Sequence, residues 1–321
     1  MKYIWYMFLP ILVMVGIQYA VVIGDVIILF FKNLFSTSEV HKDATVEFIM
    51  NSDFKQPMNQ AYMTLVQYSL YILVFGIWYY KAFCKAPAMV DNKSGKKATT
   101  TNTEDAVIFS DFKTGLYYLR DKLLTMKAVY LIIAGYSAQL MVDGILTLLE
   151  PYFKNQFESY GNMVESVMGA NSSWIMFFAV IFIAPIGEEL LFRGLIQHYG
   201  FKNFAPVLAI GLQGLVFGLY HGNIIQGTYA FFMGIVLGFV AYKLGSILYS
   251  IVLHISVNAS FTIVPVALYE TTPKTVVTTI ISGILLIGMI WMAVRKRENI
   301  ENIENKRGCK KTPLKENRCR P

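Results

Sequence analysis

The chain has 321 residues, 55% of them hydrophobic and 15% charged, with a formal net charge of +7 and a mean hydropathy of +0.48. That composition is not that of a water-soluble domain: repeated apolar runs of about 20 residues, the length that crosses a bilayer, indicate a polytopic membrane protein. The positive excess collects in one connection and the C-terminal tail, so it gives no support to nucleic-acid binding.

Eight apolar segments follow one another at residues 3–23, 61–80, 128–149, 174–196, 204–220, 228–242, 246–268 and 276–294. Each is expected to be helical, because lipid offers no partner to free backbone groups, and the fold class is therefore all-α. The first segment is longer than the apolar part of a signal peptide and no small-residue cleavage site follows it, which predicts a retained first span. Residues 32–60 mix Lys42 and Lys55 with Glu39, Asp43, Glu47 and Asp53, whereas 81–127 carries Lys85, Lys93, Lys96, Lys97, Lys113, Arg120 and Lys122. Together with Arg295, Lys296 and Arg297 after the last segment, this places the 81–127 connection and both termini in the cytoplasm. Residues 151–173 lean acidic through Glu158 and Glu165, as expected of an external loop.

Within the long connection, 87–105 has the polar composition of a flexible linker, and 109–126 reads as an amphipathic helix on the membrane surface. The three cysteines, Cys84, Cys309 and Cys319, fall on the cytoplasmic side, where thiols stay reduced. Cys319 is followed by two residues only, so no prenylation box is expected. The basic tail suits contact with anionic headgroups.

The organisation changes near residue 160. Residues 1–160 hold three spans separated by long polar connections, 161–294 hold five spans joined by short links, and 295–321 form the basic cytoplasmic tail. No internal repeat, nucleotide-binding glycine loop or HExxH zinc helix is found. Gly214 and Gly218 are four apart, as are Gly234 and Gly238, a spacing that lets helices approach closely.

The chemistry-bearing residues lie inside these apolar segments, where ionisable groups are costly and mark functional sites. The fourth reads IAPIGEELLFRGLI and contains Glu188, Glu189 and Arg193; the fifth ends FGLYH, with Phe217 and His221; the seventh contains HISVN, with His254 and Asn258. Residues four apart share a helix face, so Glu189 is expected to pair with Arg193, while Glu188, turned about 100° away, stays available as a base. If the three helices meet, a base, an imidazole and two further hydrogen-bonding groups share a pocket, an inventory suited to amide hydrolysis. Asp25, Gln139 and Asp143 are read as interhelical hydrogen-bonding groups. One tension concerns depth: Glu188 and His254 fall near mid-membrane and His221 toward the outer end of its span. A break at Pro185 or a later start of the fifth span, after Pro206, would bring them level.

The ordered EExxxR, FxxxH and HxxxN elements on successive apolar segments resemble the CPBP intramembrane proteases, the group of the type II CaaX prenyl endopeptidases and the Abi-type bacteriocin-processing or immunity proteins. The resemblance covers about residues 174–268. It implies Glu188 as the glutamate that activates water with His221, His254 and Asn258 as the oxyanion site, Glu189 and Arg193 as support, and Phe217 as packing. It further implies a membrane-embedded or lipidated peptide or protein as substrate, a setting in the lipid bilayer such as a bacterial plasma membrane, and a mechanism without a cofactor. Zinc held by Glu188, His221 and His254 is the alternative, less favoured because Asn258 is a poor zinc ligand but a good oxyanion donor. A non-proteolytic immunity or regulatory protein and an ion-coupled transporter are the competing classes; the absence of repeats weighs against the transporter.

Overall fold

The computed structural model describes residues 4–34, 56–84, 119–120, 122–169 and 173–306. Nine helices are formed by these residues: α1 (Trp5–Leu34), α2 (Pro57–Tyr79, prolonged by a π-helical turn, Tyr80–Cys84), α3 (Met126–Leu149), α4 (Lys154–Met168), α5 (Trp174–Phe201), α6 (Pro206–Tyr220), α7 (Ile224–Leu244), α8 (Ile247–Ser260) and α9 (Thr272–Lys306). The described residues contain no strand, and the chain is an all-α polytopic membrane protein.

The eight apolar segments all form helices, but only six are long and apolar enough to cross a bilayer. The other two, α6 with 15 residues and α8 with 14, rise about 22 and 21 Å against a hydrocarbon core of about 30 Å. The eight expected apolar helices are thus six long spans and two shorter apolar helices. The starts of both shorter helices have local causes. Pro206 starts α6 at its first turn, where a missing N–H costs nothing, and α8 is capped by Ser246 Oγ, which accepts from Leu248 N at 3.2 Å. Gly245, at φ 70°, supplies the left-handed turn between α7 and α8.

Three further differences stand out. Residues expected to be an external loop form α4, because Phe157, Tyr160, Val164 and Val167 recur at helical spacing. The last helix does not stop near 294 but runs to Lys306. Gln139 donates to Asp143 at 2.8 Å within α3 rather than between helices. The linker 87–105, the body of the surface helix 109–126, the tail beyond Lys306, Cys309 and Cys319 lie outside the described residues; Cys84 is buried.

Two apolar clusters flank α5. One joins α1, α2, α5 and α6 through Tyr71, Phe75, Tyr79 and Phe83 against Leu191, Phe192, Leu195 and Tyr199. The second joins α3, α7, α8 and α9 through Leu131, Leu237, Leu253 and Leu286. Small residues set the spacing: a Cβ on Gly187 would stand 3.2 Å from Tyr71 Cβ, and one on Gly234 would stand 2.9 Å from Gly214 Cα. The close approach predicted from the two glycine pairs is therefore realised between α6 and α7. It brings backbone carbonyls of α7 within reach of side chains from α5 and α6.

Candidate active site

α5 is a composite helix. Wide π turns at Ala179–Ile183 and Leu190–Gln197 bracket the α-helical piece Ala184–Glu189 that carries both glutamates. In the first, Ala184 N–H bonds to Ala179 O. The next bond in that register would come from residue 185, but proline has no N–H. Asn258 Nδ2 from α8 supplies a donor to Val180 O instead, at 2.9 Å. The proline that the sequence marked as a break thus ties α8 to α5 at the depth of the site.

The two glutamates separate as their spacing predicts. Glu189 and Arg193 are both fully buried, and Arg193 Nη1 donates to Glu189 Oε1 at 2.7 Å. Arg193 Nη2 donates to Gly234 O at 3.1 Å, Gln213 Nε2 donates to the same carbonyl at 2.7 Å, and Gln197 Nε2 donates to Gly238 O at 3.1 Å. The Arg193 guanidinium also lies 4.5 Å from the Phe217 ring centre, a cation–π contact. Glu189 Oε1 accepts a second bond, from His254 Nδ1 at 2.8 Å.

Glu188 faces the other way, into a cavity of about 420 Å³ that is also lined by Phe217, His221, His254 and Asn258. Its Oε2 is 3.7 Å from His254 Nε2, and its Oε1 accepts from Tyr68 Oη at 2.9 Å. Tyr68 Oη and Tyr220 Oη lie 3.0 Å apart. His221 follows the end of α6, with Nδ1 2.8 Å from Phe217 O and its ring edge-on to Phe217, 4.8 Å between centres. A carbonyl only accepts, so Nδ1 carries the proton and Nε2 of the neutral ring is an acceptor. α6 starts at Pro206 itself, two residues after the expected beginning of its segment, and not after that proline as the depth argument proposed.

Of the seven residues singled out by sequence, five line the cavity, and Glu189 and Arg193 stand directly behind it. Tyr68 and Tyr220 were not anticipated. Thr64, Gln67, Tyr68 and Tyr71 recur at i, i+3, i+4 and i+7 in α2, and such a polar stripe inside an apolar span is the signal by which Tyr68 could have been found; Tyr220, on α6, had none. Among the described residues, no three His, Cys, Asp or Glu side chains are placed to hold one metal ion. The alternative zinc set, Glu188, His221 and His254, lines one cavity without forming such a group.

Residues 170–260 match the family model described as "Type II CAAX prenyl endopeptidase Rce1-like". That stretch contains Glu188, Glu189, Arg193, Phe217, His221, His254 and Asn258, in agreement with the resemblance read from the three motifs. No curated protein and no solved structure matches the chain.

Proposed function

We propose that the protein is an intramembrane endopeptidase in which Glu188 activates water for attack on a peptide carbonyl of a membrane-associated substrate. The observation that carries this reading is a single carboxylate held by Tyr68, facing a cavity, with His254 Nε2 3.7 Å from its second oxygen. Glu188 takes a proton from water as the oxygen adds to the carbonyl carbon. His221 Nε2, an acceptor, orients that water. Glu188 then passes the proton to the departing amine as the C–N bond breaks, leaving a carboxyl and an amino terminus.

The tetrahedral oxygen needs donors. Asn258 has a second N–H besides the one given to Val180. His254 has committed Nδ1–H to Glu189, so its Nε2 donates to the oxyanion only as an imidazolium, for which Glu189 and Glu188 are the counter-charges. Glu189 and Arg193 act through His254 and through packing, without touching the substrate.

The test is cleavage of an internally quenched apolar peptide by purified protein in liposomes, measured with and without a chelator while bound metal is followed by elemental analysis. Cleavage that survives chelation is expected. Loss of activity on stripping zinc, restored by adding it back, would replace the glutamate mechanism with a metal-assisted one. Absence of cleavage by a folded preparation would overturn the protease reading.

A further inference from the structure

The bundle has two electrically distinct ends. At one, Lys122 and Lys127 lie over the Tyr249 ring at 5.5 and 5.7 Å, Lys202 lies over Phe83 at 4.7 Å, and Arg295 lies over Trp291 at 4.6 Å. These contacts gather the start of α3, the α5–α6 turn, the start of α8 and the last turns of the final span. Lys81 and Lys243, near the ends of α2 and α7, belong there as well. The opposite end has Glu150, Glu158, Glu165 and Glu270 against Lys154 and Lys274, the last paired with Glu270 at 2.8 Å. Short basic segments next to span ends stay in the cytoplasm, so the basic end is cytoplasmic.

The cavity belongs to the other end. His221 closes α6, Gln226 and Tyr229 lie in the first turns of α7, and Phe261 follows α8. α4 roofs the space, contributing Tyr160, Met163 and Val164, and it is pinned by the Tyr160 and Tyr229 hydroxyls, 3.3 Å apart. Among the described residues no lysine or arginine lines it, and Arg193, behind its wall, is fully buried. The cavity thus offers an entering carboxylate or phosphate no lysine or arginine among the described residues, and its imidazoles are already engaged, His221 by Phe217 O and His254 by Glu189 and Glu188, so a second negative charge beside Glu188 is an unfavourable pairing in a low-dielectric setting. The lining otherwise offers Val, Met, Phe, Gln and Tyr side chains.

We infer that the cavity is entered from the non-cytoplasmic face and takes an uncharged internal stretch of an exported or membrane-inserted peptide, a substrate class that rests on the proteolytic function proposed above. α4 then lies across the entry, and a peptide passes beneath its apolar face to reach Glu188.

Side and substrate are tested separately. In a background with Cys84, Cys309 and Cys319 changed to Ser, single cysteines are introduced as Ser159→Cys on α4, Gln226→Cys in the cavity and Ala205→Cys in the α5–α6 turn. A membrane-impermeant maleimide applied to intact cells should label the first two, and Ala205→Cys only after permeabilisation. The reverse pattern would overturn entry from the non-cytoplasmic side. In liposomes, a quenched apolar peptide blocked at both ends should be cleaved at least as fast as the same peptide with a free C-terminal carboxylate; a requirement for the free carboxylate would overturn the substrate class. Cleavage of neither would sink the proteolytic reading and the substrate class with it, while the labelling, which needs no catalysis, decides the side of entry by itself.

Discussion

The two faces of α5 solve opposite problems with the same residue type. Behind the helix, Glu189 is sealed against Arg193 and His254, and the guanidinium continues into the carbonyls of α7. In front of it, Glu188 has one phenol as a hydrogen-bonding partner and a cavity beside it. One peptide bond separates a structural ion pair from a carboxylate available for chemistry. The difference arises from helix geometry, about 100° per residue, and from what each direction meets: glycine-lined helix contacts on one side, tyrosines and open space on the other.

The widest contrast comes from changing each glutamate to glutamine. Glu188→Gln keeps shape and removes the base, so peptide turnover should fall by roughly 10²–10⁴, the range for loss of a general base, with thermal stability near that of the unchanged protein. Glu189→Gln should leave Arg193 as an uncompensated buried cation, costing about 3–5 kcal/mol of stability, and should lose activity along with the fold. Thermal denaturation and peptide cleavage on the same purified preparations distinguish the two. A folded Glu188→Gln protein that cleaves at the original rate would refute the base assignment, and equal stability losses in both variants would erase the contrast between the faces.

Much of this contrast was legible in the sequence. The spacing of Glu189 and Arg193 foretold their pairing, and the three motif segments foretold a shared cavity. The partners of Glu188 were less visible because they come from α2, 120 positions away in sequence, and an aromatic in an apolar span reads as packing until a carboxylate is found beside it. The π turns of α5 were hidden for a different reason. Pro185 signalled a break, but nothing local specifies that the break is a widened turn whose carbonyl is met by Asn258. α8 is shorter than the segment expected at 246–268 because apolar composition continues past Ser260, where the helix ends.

The sealed face depends on close approach, which a single methyl group tests. A Cβ on Gly238 would fall 2.5 Å from Gln197 Oε1 and 2.6 Å from Gln213 Nε2. Both amides must then shift, and with them their bonds to Gly238 O and Gly234 O. Gly238→Ala should destabilise the protein by about 1–3 kcal/mol, as overpacking of a filled interior does. Gly222, which has open space around the added Cβ but φ 67°, does not offer a clean control; Gly211, with no atom within 4 Å of the added Cβ, does, and Gly211→Ala should leave the melting temperature nearly unchanged. Equal melting temperatures for both variants would show that the amide layer is not tightly packed.

The smallest expected effect is also the one that reaches outside the family-matched stretch. Tyr68 holds Glu188 Oε1 through its hydroxyl at 2.9 Å, while its ring packs edge-on to Tyr71, 5.4 Å between centres. Tyr68→Phe keeps the ring contact and deletes the hydroxyl. A hydrogen bond to a charged group contributes about 1.5–3 kcal/mol, but Glu188 borders a cavity that water can enter, which offsets part of the loss. Turnover should therefore fall roughly 10-fold, near the 1.4 kcal/mol that corresponds to one decade. The drop should appear in kcat with KM little changed, because the hydroxyl orients the base and does not hold the peptide. Tyr68→Leu, which also removes the ring, should lose stability in addition. Unchanged kcat in Tyr68→Phe would reduce Tyr68 to packing, and a rise in KM alone would move it from the base to the substrate.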